Sequence, residues 1–199
     1  MSSEQDGEPL AIEFANTRLD RSGGPLLELL TDDAALVDWL RSALGRDLDG
    51  QLLPGDLGRF LALRDAVRVV AHAVSDEQPE PAVEVALINA TAAAAPSWPE
   101  LADGQRVERT SARAIEAALA ALAASAIDVF GGPRRGQVRS CGRWPRCVRF
   151  FVKNHPRREY CSPHCANRAR VMRHYDRHRD AHQAAGSGPQ PADGWLRGR

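Results

Sequence analysis

The sequence predicts a mainly α protein with a small β-hairpin: a helical N-terminal domain followed by a C-terminal ββα, treble-clef-like zinc finger. Three observations lead there. Apolar residues recur at helical spacing through the first 130 positions. All four cysteines lie between positions 141 and 165. A net charge of zero over 199 residues conceals a division: residues 1–132 hold 10 arginines against 22 carboxylates, a balance of −12, while residues 133–182 hold 13 arginines and Lys153 against Glu159, Asp176 and Asp180, a balance of +11. The expected organisation is a helical domain over 8–132, a finger over 133–183 and a flexible Gly- and Pro-rich tail over 184–199, in which Trp195 has no assigned role.

The segment Leu10-Ala-Ile-Glu-Phe-Ala-Asn16 fits either a short helix or a strand, with helix preferred, and the polar Asn16, Thr17 and Arg18 read equally as a helix C-terminus or as part of a binding site. Thr31 is the expected N-cap of a helix over about 32–44, with Asp32 and Asp33 in the first turn, Leu36, Trp39 and Leu40 on one face, and Gly45 as the stop. A longer helix opens at Pro54 and carries Phe60, Leu63, Val67, Val70 and Val74 on one face, with Arg64 and Arg68 off it; Pro79 and Pro81 end it. Residues 82–95 repeat the pattern through Val83, Leu87 and Ala90. Asp103-Gly104 between Leu101 and Val107 predicts a β-hairpin over 97–110. Ser111 is read as the cap of a last helix with Ile115, Leu119, Leu122, Ala126 and Val129 inward.

This body offers little chemistry. His72 is its one histidine, read as a helix-flank residue rather than a ligand, and no nucleotide-binding, nucleophile-elbow or metalloprotease motif occurs. The longest uncharged apolar run, between Glu116 and Asp128, is 11 residues against the roughly 20 of a membrane span, so none is expected. The first ten residues carry Glu4, Asp6 and Glu8 and no basic cluster, so no secretory signal is read and the cytoplasm is the expected compartment, where thiols stay reduced.

Cys141, Cys147, Cys161 and Cys165, separated by five, thirteen and three residues, then read as the ligands of a tetrahedral zinc site; His155 and His164 are subordinate alternatives. Val148, Phe150 and Val152 alternate with Arg149, Phe151 and Lys153 as in a strand, residues 154–157 turn, and Glu159-Tyr160 returns to Cys161. Ser162 as N-cap and Pro163 at the first helical position launch a helix to about Gln183. So short a unit buries little core, so zinc is expected to supply most of its folding energy. With four thiolates on zinc it remains near +9. Arg170, Arg173 and Arg177 share one face of the helix, and Met172 and Tyr175 share another that could pack on the hairpin or the body.

Cationic residues on the hairpin side (Arg143, Arg146, Arg149, Arg157 and Arg158) extend the basic surface. The expected partner is DNA, met at phosphates and at base edges. RNA is the alternative, with Phe150, Phe151 and Tyr160 as stacking platforms. An enzyme is not expected, because four thiolates close the metal site and the body lacks a nucleophile–base pair.

Leu10-Ala-Ile-Glu-Phe-Ala-Asn-Thr-Arg18, the helix with Asp38-Trp39-Leu40, and above all Cys161-Ser-Pro-His-Cys-Ala-Asn-Arg168 resemble the bacterial ABATE-domain proteins with a C-terminal CGNR zinc finger. Ala166 stands where that name has Gly, and the first cysteine loop is one residue longer than expected. The resemblance covers nearly all of the chain to about 182. It implies zinc, stress-responsive transcription regulation and DNA binding by the finger. It also singles out Asn167 as a structural residue and Arg168 as a phosphate contact or a brace. The body is then expected to sense a small-molecule effector or to self-associate, for instance as a homodimer.

Overall fold

Helix caps and apolar stripes account for the order of elements in the computed structural model, which describes residues 7–21, 24–46, 48 and 50–186. Helix α1 (Leu10–Ala15) buries Ala11, Ile12, Phe14 and Ala15. Strands β1 (Arg18–Arg21) and β2 (Gly24–Glu28) follow as an antiparallel pair. The sequence reads Asn16–Arg18 as a helix end or part of a binding site and does not foresee this pair, because strands of four and five residues carry too little alternation to be told from a loop.

Helix α2 (Asp33–Leu44) is capped by Asp32 rather than Thr31. Asp32 Oδ1 accepts from the Ala35 amide at 2.8 Å, and Thr31 donates its hydroxyl to Asp32 Oδ2. Helix α3 (Asp56–Ser75) begins two residues after Pro54 and buries the expected stripe of Phe60, Leu63, Val67, Val70 and Val74. Arg64, expected off that face, is also buried, paired with Glu28 and Asp65. Helix α4 (Ala82–Ala93) departs from expectation: it buries Ile88 and leaves Val83 78% and Leu87 40% exposed. An almost uniformly apolar helix has no unique period, so the face it covers is set by its neighbours.

Strands β3 (Ser97–Ala102) and β4 (Gln105–Thr110) form the predicted hairpin. Asp103 and Gly104 both adopt positive φ, 49° and 74°, the conformation a two-residue primed turn demands. Helix α5 (Ala114–Gly131) starts after Arg113; Ser111 does not cap it. It buries Ile115, Leu119, Leu122, Ala126 and Val129. Counted with Glu116, α5 spans 18 residues at mean hydropathy 1.7, enough by length and composition to cross a membrane, yet half of it is buried inside the protein. Its apolar face is spent on α1, α3 and α4.

The chain divides into two compact units, Met1–Cys161 and Ser162–Arg199. In the first, a 3₁₀ turn (Arg135–Gln137) leads into β5 (Val138–Ser140), which pairs antiparallel with β6 (Phe150–Val152) in the register Val138↔Val152, Arg139↔Phe151, Ser140↔Phe150. The expected return strand at Glu159-Tyr160 is thus replaced by one that precedes the first cysteine. Val138, Phe150 and Val152 belong to the same core cluster as Ile12, Phe60 and Leu122. These strands therefore draw stability from the helical core, and the expectation that metal supplies most of the finger's folding energy is corrected for this part of it.

The second unit is α6 (Pro163–Gly186), for which Ser162 supplies the predicted cap: its Oγ accepts from the Cys165 amide at 3.3 Å. Met172 and Tyr175 are exposed on it, Tyr175 by 67%. The tail beyond residue 186, with Trp195, lies outside the described residues.

Candidate metal centre

Strand β5 ends at Cys141, and the chain folds back on itself at once. Trp144 donates its amide to Cys141 O at 2.8 Å, Cys147 donates to Arg143 O at 3.1 Å, and Cys141 donates to Arg149 O at 2.9 Å, closing the five-residue loop between the first two cysteines. The Trp144–Pro145 peptide within it is cis. The segment leading to Cys161 is brought alongside by Gly142, whose amide donates to Glu159 O at 2.8 Å. A Cβ on Gly142 would stand 2.8 Å from that carbonyl oxygen and 3.2 Å from the Tyr160 ring, so glycine is required here by close approach. The predicted turn at 154–157 is closed by the Arg158 amide donating to His155 O at 2.9 Å.

These turns converge Cys141, Cys147, Cys161 and Cys165, whose sulfurs all lie within 4.8 Å of one another. Four sulfurs at about 2.3 Å from a tetrahedral zinc stand about 3.8 Å apart; Cys147 Sγ and Cys161 Sγ are 3.8 Å apart. Donor set and spacing therefore fit Zn²⁺. Hydrogen bonds from Cys147 and Cys161 hold the Cys141 thiol far below its ordinary range, and the contacts of Cys147 with Cys141 and Cys161 drive its own thiol upward. Cys165 lies in the first turn of α6, where exposed amides and the helix dipole favour thiolate. Four thiolates leave no open coordination position, so the metal's role is to cross-link the chain. His155 uses Nδ1 to accept the Arg157 amide, and neither it nor His164 joins the sulfur cluster.

Around the cluster, the first unit holds its metal-binding loops by polar contacts that the sequence did not announce. Asn16, at the end of α1, donates Nδ2 to Phe150 O and accepts the Phe150 amide on Oδ1, both at 2.9 Å. Arg68, expected off the apolar face of α3, spans the same junction: it donates to Ala15 O at 2.6 Å and Val148 O at 3.0 Å and lies 5.4 Å from the Phe150 ring centre. Burial, with Arg18 and Arg64 nearby, pushes its pKa down to about 10. Ser75 accepts the Ser140 amide, and Glu8 accepts the Val152 amide. His72 pairs with Asp76 at 3.1 Å and meets the Trp144 ring edge-on at 4.7 Å, which makes it a packing residue of the cysteine loop.

The predicted nucleic-acid residues separate into two groups. Arg158 is turned inward: it donates to Glu8 Oε1 at 2.6 Å, to Val152 O and to Cys161 O, and its guanidinium lies 4.6 Å over the Phe151 ring. That internal fork commits its donors to partners within the first unit. Arg157, Arg170, Arg173 and Arg177 are exposed, and Arg149 and Arg168 are half-buried. Phe150 and Phe151 are buried, not displayed as stacking platforms. Asn167 is exposed, and among the described residues Ser162 supplies the helix cap. Asn16, Arg68 and Glu8 escaped sequence reading because nothing local distinguishes them from ordinary helix-end and surface residues.

A helical body that incorporates two strands of a four-cysteine knuckle defines a zinc-binding protein of the zinc-finger class. Residues 8–133 match the ABATE family, described as a putative stress-induced transcription regulator, and residues 137–178 match the CGNR zinc finger. The chain belongs to the ABATE family and carries a CGNR zinc finger behind the family domain. No curated protein matches it.

Proposed function

We propose that this protein is a non-enzymatic, DNA-binding transcription regulator: the finger contacts DNA, and the helical body senses a small molecule or mediates self-association. The observation that carries this reading is the exposed row Arg170, Arg173 and Arg177 on α6, rooted at its first turn in the cysteine cluster. Arginines at that spacing along one helix face supply phosphate contacts and, in a major groove, bidentate donors to guanine. The acidic body, at −12, repels the same polyanion, which confines contact to the finger. Burial of Phe150 and Phe151 weighs against an RNA-stacking surface and so favours duplex DNA.

The test is salt-dependent binding of the zinc-loaded full chain to duplex fragments. Four to six phosphate contacts give log affinity a slope of about −4 to −5 against log salt. Replacing Arg170, Arg173 and Arg177 together by Gln should weaken binding to every sequence and flatten that slope. Equal, weak and salt-insensitive affinity of both proteins overturns the proposal.

A further inference from the structure

The cleft enclosed by α3, α4 and α5 has no role in holding the zinc knuckle or presenting arginines. Its cavity volume is about 130 Å³, close to the roughly 150 Å³ of an apolar cavity that admits a single benzene ring. Val70, Ile88, Ala126 and Phe130, all buried, line its floor, and the small Ala126 side chain helps leave the space open. Two polar side chains, Glu80 and Asn89, also line it. The Glu80 carboxylate is paired with Arg135 at 2.7 Å, and the same guanidinium nitrogen donates to Phe130 O at 2.9 Å. That charge is already neutralised, which leaves the Asn89 amide to offer both a donor group and an acceptor to an occupant.

We infer that this cleft is a binding site for a compact, uncharged, mainly apolar molecule, of the size of one aromatic ring with a short arm carrying a single hydrogen-bonding group. Apolar walls favour the ring; Asn89 satisfies the polar group; the body's charge of −12 disfavours anions. The site also touches the route to the metal. Arg135 opens the 3₁₀ turn that runs directly into β5 and hence to Cys141, so an occupant that displaces Phe130 or Glu80 strains the segment feeding the knuckle. This deepens the sensing half of the proposed function and rests on that reading.

The experiment uses zinc-loaded full-length protein with labelled Ile and Val methyl groups, titrated with 2-phenylethanol and, in parallel, with benzoate. Saturable shifts at Ile88 and Val70 with the alcohol, and none with the anion, are expected. Ile127, 40% exposed where it lines the cleft, allows a blocking variant: Ile127→Trp should weaken binding at least about tenfold. Asn89→Leu, a second variant at an exposed position, should do so through the lost amide. Shifts that never saturate, that persist unchanged in both variants, or that benzoate reproduces overturn the inference. DNA affinity measured on the same sample separates the two readings: DNA binding without alcohol binding sinks the cleft and spares the regulator, and alcohol binding without DNA binding does the reverse.

Discussion

Asn16 holds Phe150 by both of its backbone groups, each at 2.9 Å, across 134 residues of sequence. A side-chain amide carries both donor and acceptor groups, so here it replaces the neighbour that β6 lacks on that edge. Asn16→Ala would leave the Phe150 N–H and C=O without these partners beside a buried ring. Each such group costs about 1–3 kcal/mol, so the variant should lose at least about 2 kcal/mol in urea unfolding with zinc content unchanged. A loss below about 0.5 kcal/mol would show that water replaces the amide freely.

Zinc stoichiometry tests the cluster. Purified protein should hold about one zinc per chain, and Cys161→Ser should reduce it sharply. Because Val138, Phe150 and Val152 are packed in the helical core, the β5–β6 amides should stay protected from exchange in that variant, and the helical circular dichroism should survive. Collapse of the entire helical signal would mean that the core depends on the metal.

Arg158 and Arg170 are expected to differ in kind. Arg158→Ala removes the fork between Glu8, the Val152 and Cys161 carbonyls and the Phe151 ring, so it should lower the unfolding midpoint while leaving the DNA salt slope intact. Arg170→Ala, at an exposed position, should leave stability nearly unchanged and make the slope shallower by about one unit. An exchange of these two phenotypes would contradict the assignment of roles.

Asp56 gives a pH signature. Burial acts to raise its pKa, but hydrogen bonds from the Leu53 amide, Arg59 and Arg113 outweigh this and hold it below the ordinary 3.8. A carboxyl depressed in the folded state stabilises above its unfolded pKa, and that contribution is lost as pH falls through the folded value. Wild-type protein should therefore lose urea resistance as pH falls below 3.8, and Asp56→Asn should be less stable at neutral pH with a shallower acid decline. Parallel pH profiles for the two proteins would refute this role.

Local chemistry made much of the molecule legible. The α3 and α5 stripes, the Asp103-Gly104 turn and the Ser162 cap before Pro163 follow from interactions within a few residues, the four cysteines are legible from their residue type and spacing, and each is found in the structure. Pairing and coverage are another matter. β6 took Val138–Ser140 as its partner instead of Glu159-Tyr160, α4 turned Ile88 inward and left Val83 and Leu87 outside, and Asn16, Arg68 and Arg158 became braces of the knuckle. A three-residue strand carries too little periodicity to name its neighbour, and a helix whose apolar residues lie all round it does not say which side will be covered. An isolated polar residue reveals its partner only when the chain brings a carbonyl, a carboxylate or a ring within about 3–5 Å of it. Those choices belong to the assembled core, where a contact between distant residues is worth making only once both elements are already held in place.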